Sequence, residues 1–128
     1  DGQMTGQQGI HSRFESELFD RYKDKLRITP GVVATIPNAR EFMFATLTDS
    51  AQHVDAILAA DREAIKGRTL YDDGYFAHMF ETTGPIMEKR ISGAITALAS
   101  LLTSAWTDAG TPALPAEDPP RTPRPIRR

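Results

Sequence analysis

His11 and Glu15 stand four positions apart in Ile10-His11-Ser12-Arg13-Phe14-Glu15. On a helix that spacing puts an imidazole and a carboxylate on one face, one turn apart. Both donors can then reach a single cation, each at about 2.0–2.2 Å from zinc. The helix sets the spacing before any metal arrives, which lowers the ordering cost of binding. Early in a helix the charge of Glu15 is also favoured by the helix dipole. Two donors leave a tetrahedral zinc incomplete, because such a site takes about four ligands. The plainer use of the pair is a surface contact worth about 0.2–0.5 kcal/mol.

The remaining candidates carry less chemistry. His53 follows Asp49 by four residues and reads as a partly exposed helix histidine. His78 lies among Tyr75, Phe76, Met79 and Phe80, where an imidazole is usually a core or rim residue. Asp72 and Asp73 are neighbours and diverge by about 100° on a helix, so capping suits them better than shared acid–base work. Asp61-Arg62-Glu63 reads as a solvated face. Arg13 either reaches a substrate phosphate or pairs with Glu17 at i+4. The chain has no cysteine, which excludes a thiolate zinc finger, a disulfide scaffold and a Cys nucleophile. It also has no Gly-rich phosphate loop followed by Lys, no serine nucleophile elbow and no dinucleotide fingerprint.

The elements that must position these residues are helical. Residues 1–9 carry three Gly and three Gln and read as a loop or frayed N-terminus. Met4 to Gly9 are either native or part of an expression tag. Ile10, Phe14, Leu18, Tyr22 and Leu26 then recur every four residues, one face of a helix over 10–26 that Pro30 and Gly31 close. Asn38, three before Glu41, starts a second helix over 38–66, either straight or bent near Ser50, with Gly67 as its stop. A short third helix follows Asp72 and Asp73 and carries Tyr75, Phe76, Met79 and Phe80; Thr83-Gly84 ends it. Pro85 opens a fourth helix, 85–109, with a broad apolar stripe running to Leu102 and to Trp106, read as a core anchor. The expected fold is all-α, a four-helix bundle-like array over residues 10–110.

Residues 111–128 hold six of the nine prolines and four arginines, with no apolar period. They read as a disordered Pro/Arg-rich tail. The tail carries +2 and the whole chain −2, so residues 1–110 carry −4. That balance gives no general basic footprint for duplex nucleic acid. The apolar stretches are short and interrupted, so no transmembrane segment is expected.

The run from Ile10 to Glu15, straight after a Gly-rich loop, resembles the late ligand motif of the zinc-dependent phospholipase C and fungal/plant single-strand nuclease superfamily. The stretch from Leu102 to Pro115 is similar to the C-terminus of bacterial members, so the resemblance covers about residues 9–115. It implies an all-helical zinc phosphoesterase in which His11 and Glu15 hold one zinc of a three-zinc cluster. The family's other ligands, an N-terminal Trp and several His and Asp, precede this motif and have no counterpart here. The chain is thus expected to be the C-terminal part of such a protein, inactive alone, as its first residue, Asp1, also fits. The missing ligands would come from an N-terminal segment or another protomer. The substrate would be a phospholipid or nucleic-acid phosphate ester, and the location extracellular or periplasmic. Two alternatives remain: a helical interaction or structural module without chemistry, and a homo-oligomer that completes its own metal site across a symmetric interface. An exposed apolar face on the fourth helix favours these two; convergence of His11 and Glu15 on one open pocket favours the phosphoesterase.

Residues 116–128 offer almost no apolar area for packing. Deleting them is expected to leave unfolding stability within about 1 kcal/mol of the full chain, checked by thermal denaturation.

Overall fold

The computed structural model describes residues 2–114 and is all-helical, with no strand among the described residues. Most of the expected tail lies outside them. A 3-10 turn, Gln3–Thr5, precedes helix α1, which spans residues 10–25. α1 begins as regular α-helix, Ile10–Ser12, widens into a π segment, Arg13–Leu18, and returns to α-helix over Phe19–Tyr22 before a 3-10 turn, Lys23–Lys25. Three longer regular helices follow: α2, Ala39–Ala51; α3, Val54–Ala64; and α4, Asp73–Asp108.

The π segment explains the four-residue apolar repeat. In a straight α-helix of 3.6 residues per turn, a strict repeat of four drifts off its face. The i→i+5 turn of a π segment absorbs that drift. Ile10 and Leu18 are buried, and Phe14, Tyr22 and Leu26 pack against them. With Ala60 and Ala64 of α3 and Tyr75, Phe76, Met79 and Met87 of α4 they form the core. Tyr22 stacks on Phe80 with ring centroids 4.2 Å apart.

The four-helix expectation is corrected in two places, leaving three long regular helices rather than four. The boundary expected at Thr83-Gly84-Pro85 does not exist, because α4 runs through it. Thr82 and Thr83 donate their hydroxyls to the carbonyls of His78 and Met79, as helix-interior threonines do. Gly84 is buried because the Phe80 ring lies over it; a Cβ there would come within 3.2 Å of that ring. Gly84 therefore serves close packing rather than termination. The second departure is the expected helix 38–66, which divides at Gln52-His53 into α2 and α3. Asp49 and Ser50 are drawn to Arg90 of α4, whereas Ala60, Asp61 and Ala64 must lie flat against α4. One straight rod cannot satisfy both. Asn38 caps α2 by accepting from the Glu41 amide at 3.1 Å, and Asp72 caps α4 by accepting from the Tyr75 amide at 2.8 Å. Gly110 and Thr111, both with positive φ, end α4, and the Thr111 amide bonds back to the Trp106 carbonyl at 3.0 Å.

Residues 26–37 connect α1 to α2 without regular structure, yet they are tied down. The amides of Arg27, Thr29, Gly31, Ala34 and Ile36 donate to side-chain oxygens of Glu88, Ser92, Thr96, Ser100 and Ser104. The acceptors recur every four residues, one stripe of α4. From Glu88 to Ser104 the helix rises about 24 Å, which nine residues of chain cover when nearly extended. The segment is thus a strap running parallel to α4 and held chiefly by its backbone amides, with Arg27 also pairing with Glu88 at 3.6 Å. The ladder shifts register between Gly31 and Ala34, so Val32 and Val33 project outward, Val32 91% exposed.

The ladder is drier at its far end, where Ser100, Ser104 and Ile36 are buried. Ser104→Ala leaves the Ile36 amide without its partner and away from water, and is expected to cost about 1–3 kcal/mol in urea unfolding. Thr96→Ala, whose partner amide is exposed, should cost clearly less. Equal losses at the two positions would contradict this account.

Candidate metal-ligand pair and its cavity

His11 and Glu15 leave α1 on the same side, with side chains 68% and 60% exposed. His11 Nε2 stands 3.4 Å from Glu15 Oε2. Two donors each about 2.1 Å from a tetrahedral zinc stand about 3.4 Å apart, so the separation matches a shared zinc, and it equally matches the plain surface contact of an i,i+4 pair. Among the described residues, no group of three or more His, Cys, Asp or Glu is placed to hold a metal ion.

The pair borders a cavity of about 860 Å³ between α1, α2, α3 and α4. Phe14 and Phe19 of α1, Leu47 of α2, Ile57 and Leu58 of α3, and Ile91 of α4 give it apolar walls. Arg90, the cation in the wall, is held by Asp49 and Ser50. His53 lines the same cavity, but its Nε2 is buried with no hydrogen-bond partner among the described residues. Its expected companion, Asp49, is turned to Arg90 instead. His78 is exposed, so it belongs to neither core nor site.

Arg13 lies two residues from each member of the pair. Arg13 neither faces a substrate nor pairs with Glu17. It turns inward, 5% exposed, and donates to Asp61 Oδ1 and to the Tyr75 hydroxyl, each at 3.0 Å, and to the Gln8 carbonyl at 2.7 Å. Its guanidinium also lies over the Tyr71 ring at 3.9 Å. Asp61, expected on a solvated face, is 3% exposed and accepts further from Tyr75 and from Gln7 Nε2, the latter at 2.6 Å. Gln7 also donates to the Leu58 carbonyl at 2.9 Å, so the N-terminal loop is docked rather than frayed. Gln7, Arg13, Asp61 and Tyr75 come from four separate segments. No spacing rule links them, and a buried polar cluster of this kind leaves no periodic trace in sequence.

Burial opposes the charge on Asp61, but the hydrogen bonds from Tyr75, Gln7 and Arg13 outweigh it and hold its carboxyl below the ordinary value. Burial likewise opposes the charge on Arg13, and the bonds to Tyr75 and Asp61 raise it nonetheless. Burial, and then donation to Asp61, pushes the Tyr75 hydroxyl up. At neutral pH the cluster is an ion pair joined by a neutral phenol.

A carboxyl whose folded value is depressed stabilises the fold fully above its unfolded pKa of about 3.9 and loses that contribution as pH falls through the folded value. Asp61→Asn leaves Arg13 buried without its counter-charge and is expected to cost about 3–5 kcal/mol at neutral pH. Urea unfolding from neutral pH down to acid should show wild type and Asp61→Asn converging below about pH 4; a constant gap would contradict the depressed carboxyl.

No protein-family model matches the chain, and no curated protein or solved structure matches it.

Proposed function

We propose that the chain is the C-terminal part of a zinc-dependent phosphoric-ester hydrolase, to whose zinc cluster it supplies His11 and Glu15. The observation that carries this reading is the 3.4 Å donor spacing on an open face at the mouth of a large cavity. The motif resemblance over Ile10 to Glu15 supplies the reaction class. Bound zinc would contribute Lewis-acid polarisation of the phosphoryl group and a lowered pKa for water. The chain's own part is to hold an imidazole and a carboxylate at fixed separation, with the π segment and the buried Arg13 locking the turn between them. The remaining ligands would come from an N-terminal segment or another protomer, and the chain alone is inactive on this reading.

The cavity walls bear on the substrate. A nucleic-acid groove needs free cations along its length. Here Arg90 is committed to Asp49 and Ser50, and the walls are aromatic and aliphatic. That composition supports a phosphate ester attached to an apolar body, such as a phospholipid, over a nucleic-acid strand. No helix among the described residues is long and apolar enough to cross a membrane.

A second reading, a helical interaction module, is favoured by a separate observation. The apolar stripe of α4 is exposed beyond Ile91, and Trp106, expected in the core, is 44% exposed.

Zinc titrated calorimetrically into the chain is expected to bind weakly, since water must fill the other coordination positions. His11→Ala and Glu15→Ala should each abolish the heat. Isotherms unchanged by both substitutions would remove the metal reading and leave the helical module.

A further inference from the structure

The cavity between α1, α2, α3 and α4 is large for so short a chain, because packed helices rarely leave voids wider than a water molecule. Its volume of about 860 Å³ falls within the range of small-molecule sites, about 300–1,000 Å³. Met4, the apolar side chain of the N-terminal turn at its rim, is fully exposed and does not plug it. One wall is irregular: Phe14 and Glu15 both lie in the π segment of α1. Single π turns inside α-helices occur frequently at functional sites.

The charges decide what such a cavity accepts. Besides two histidines, two ionisable side chains line it, Arg90 and Glu15. Arg90 is neutralised by Asp49 of α2 and bonded further to Ser50. Glu15 stands at the mouth. An anion on its way in meets that carboxylate first, and then a guanidinium that already has its counter-charge. A cation that passes the mouth leaves water for aromatic and aliphatic walls with no free carboxylate among them. An uncharged molecule avoids both costs.

We propose that this cavity binds an uncharged, apolar small molecule, and that the Asp49–Arg90 pair makes it discriminate against anions. Asp49 acts indirectly: it cancels the charge of the residue that faces the ligand. Specificity of this kind is a difference of affinities, set as much by what is refused as by what is held. The proposal shares its cavity with the hydrolase reading but needs no zinc, so dye binding in a metal chelator and zinc binding at His11 and Glu15 can fail separately.

The test uses two fluorescent dyes of one shape. N-phenyl-1-naphthylamine is uncharged; 1-anilinonaphthalene-8-sulfonate is the same skeleton carrying a sulfonate. Each is titrated into the full chain with a metal chelator present. The neutral dye is expected to bind at one site per chain, and the sulfonate dye at least about tenfold more weakly. Asp49→Asn leaves Arg90 charged without its counter-charge. It should tighten the sulfonate dye at least about threefold and leave the neutral dye unchanged. Leu47→Glu and Val54→Glu, at exposed rim positions of α2 and α3, should weaken the neutral dye at least about tenfold while circular dichroism stays unchanged. Leu102→Glu, on the exposed stripe of α4 and outside the cavity, should not. Absence of neutral-dye binding, or equal affinity for the two dyes, overturns the proposal. So does a preference untouched by Asp49→Asn. Binding that is lost with Leu102→Glu but kept in both rim variants places the dye on α4 and overturns it too.

Discussion

One buried ion pair organises this molecule. Arg13 and Asp61 meet at 3.0 Å, out of water, with Tyr75 bonded to both. A lone charge at that depth would cost several kcal/mol. Each partner therefore requires the other, and with them their segments: α1 must lie where Arg13 reaches α3, and α4 must present Tyr75 between them. Gln7 extends the demand to the N-terminal loop. For a buried ion pair the cost of desolvating both charges offsets much of their attraction, so the penalty falls chiefly on removing one partner alone.

The same cluster positions the site. Arg13 sits between His11 and Glu15 in sequence but points the opposite way, into the interior. The inward pull on Arg13 holds the π segment in register, and the outward faces of the flanking residues follow. The candidate pair thus stands on a helix whose other face is anchored by buried groups that do not touch it. Orientation of ligands by a supporting shell is a general requirement of metal sites.

Local rules made part of this legible in the sequence. The Ile10-to-Leu26 repeat, the Asn38 and Asp72 caps and the outward course of His11 and Glu15 all follow from helix periodicity and capping chemistry. The misread places share a cause: tertiary contacts overrode local signals. Gly84-Pro85 looks like a helix boundary but lies inside α4, since Gly84 makes room for Phe80. Asp61-Arg62-Glu63 looks solvated because nothing nearby in sequence announces Arg13. The strap ladder did leave a trace, an oxygen-bearing residue every four positions from Glu88 to Ser104. It is invisible when only apolar residues are counted. Trp106 reads as a core anchor from its place on the apolar stripe, but α4 outruns the core before reaching it.

The strap also has a mechanical character. Its five amide bonds cross from chain to helix, and the two run in the same direction. A pull along the strap's axis loads the bonds together, as rivets in a lap joint are loaded in shear. A pull outward at Ile36 meets them one at a time, like a zipper. Tension arriving from α1 and tension arriving from α2 would therefore find very different strengths in the same connection.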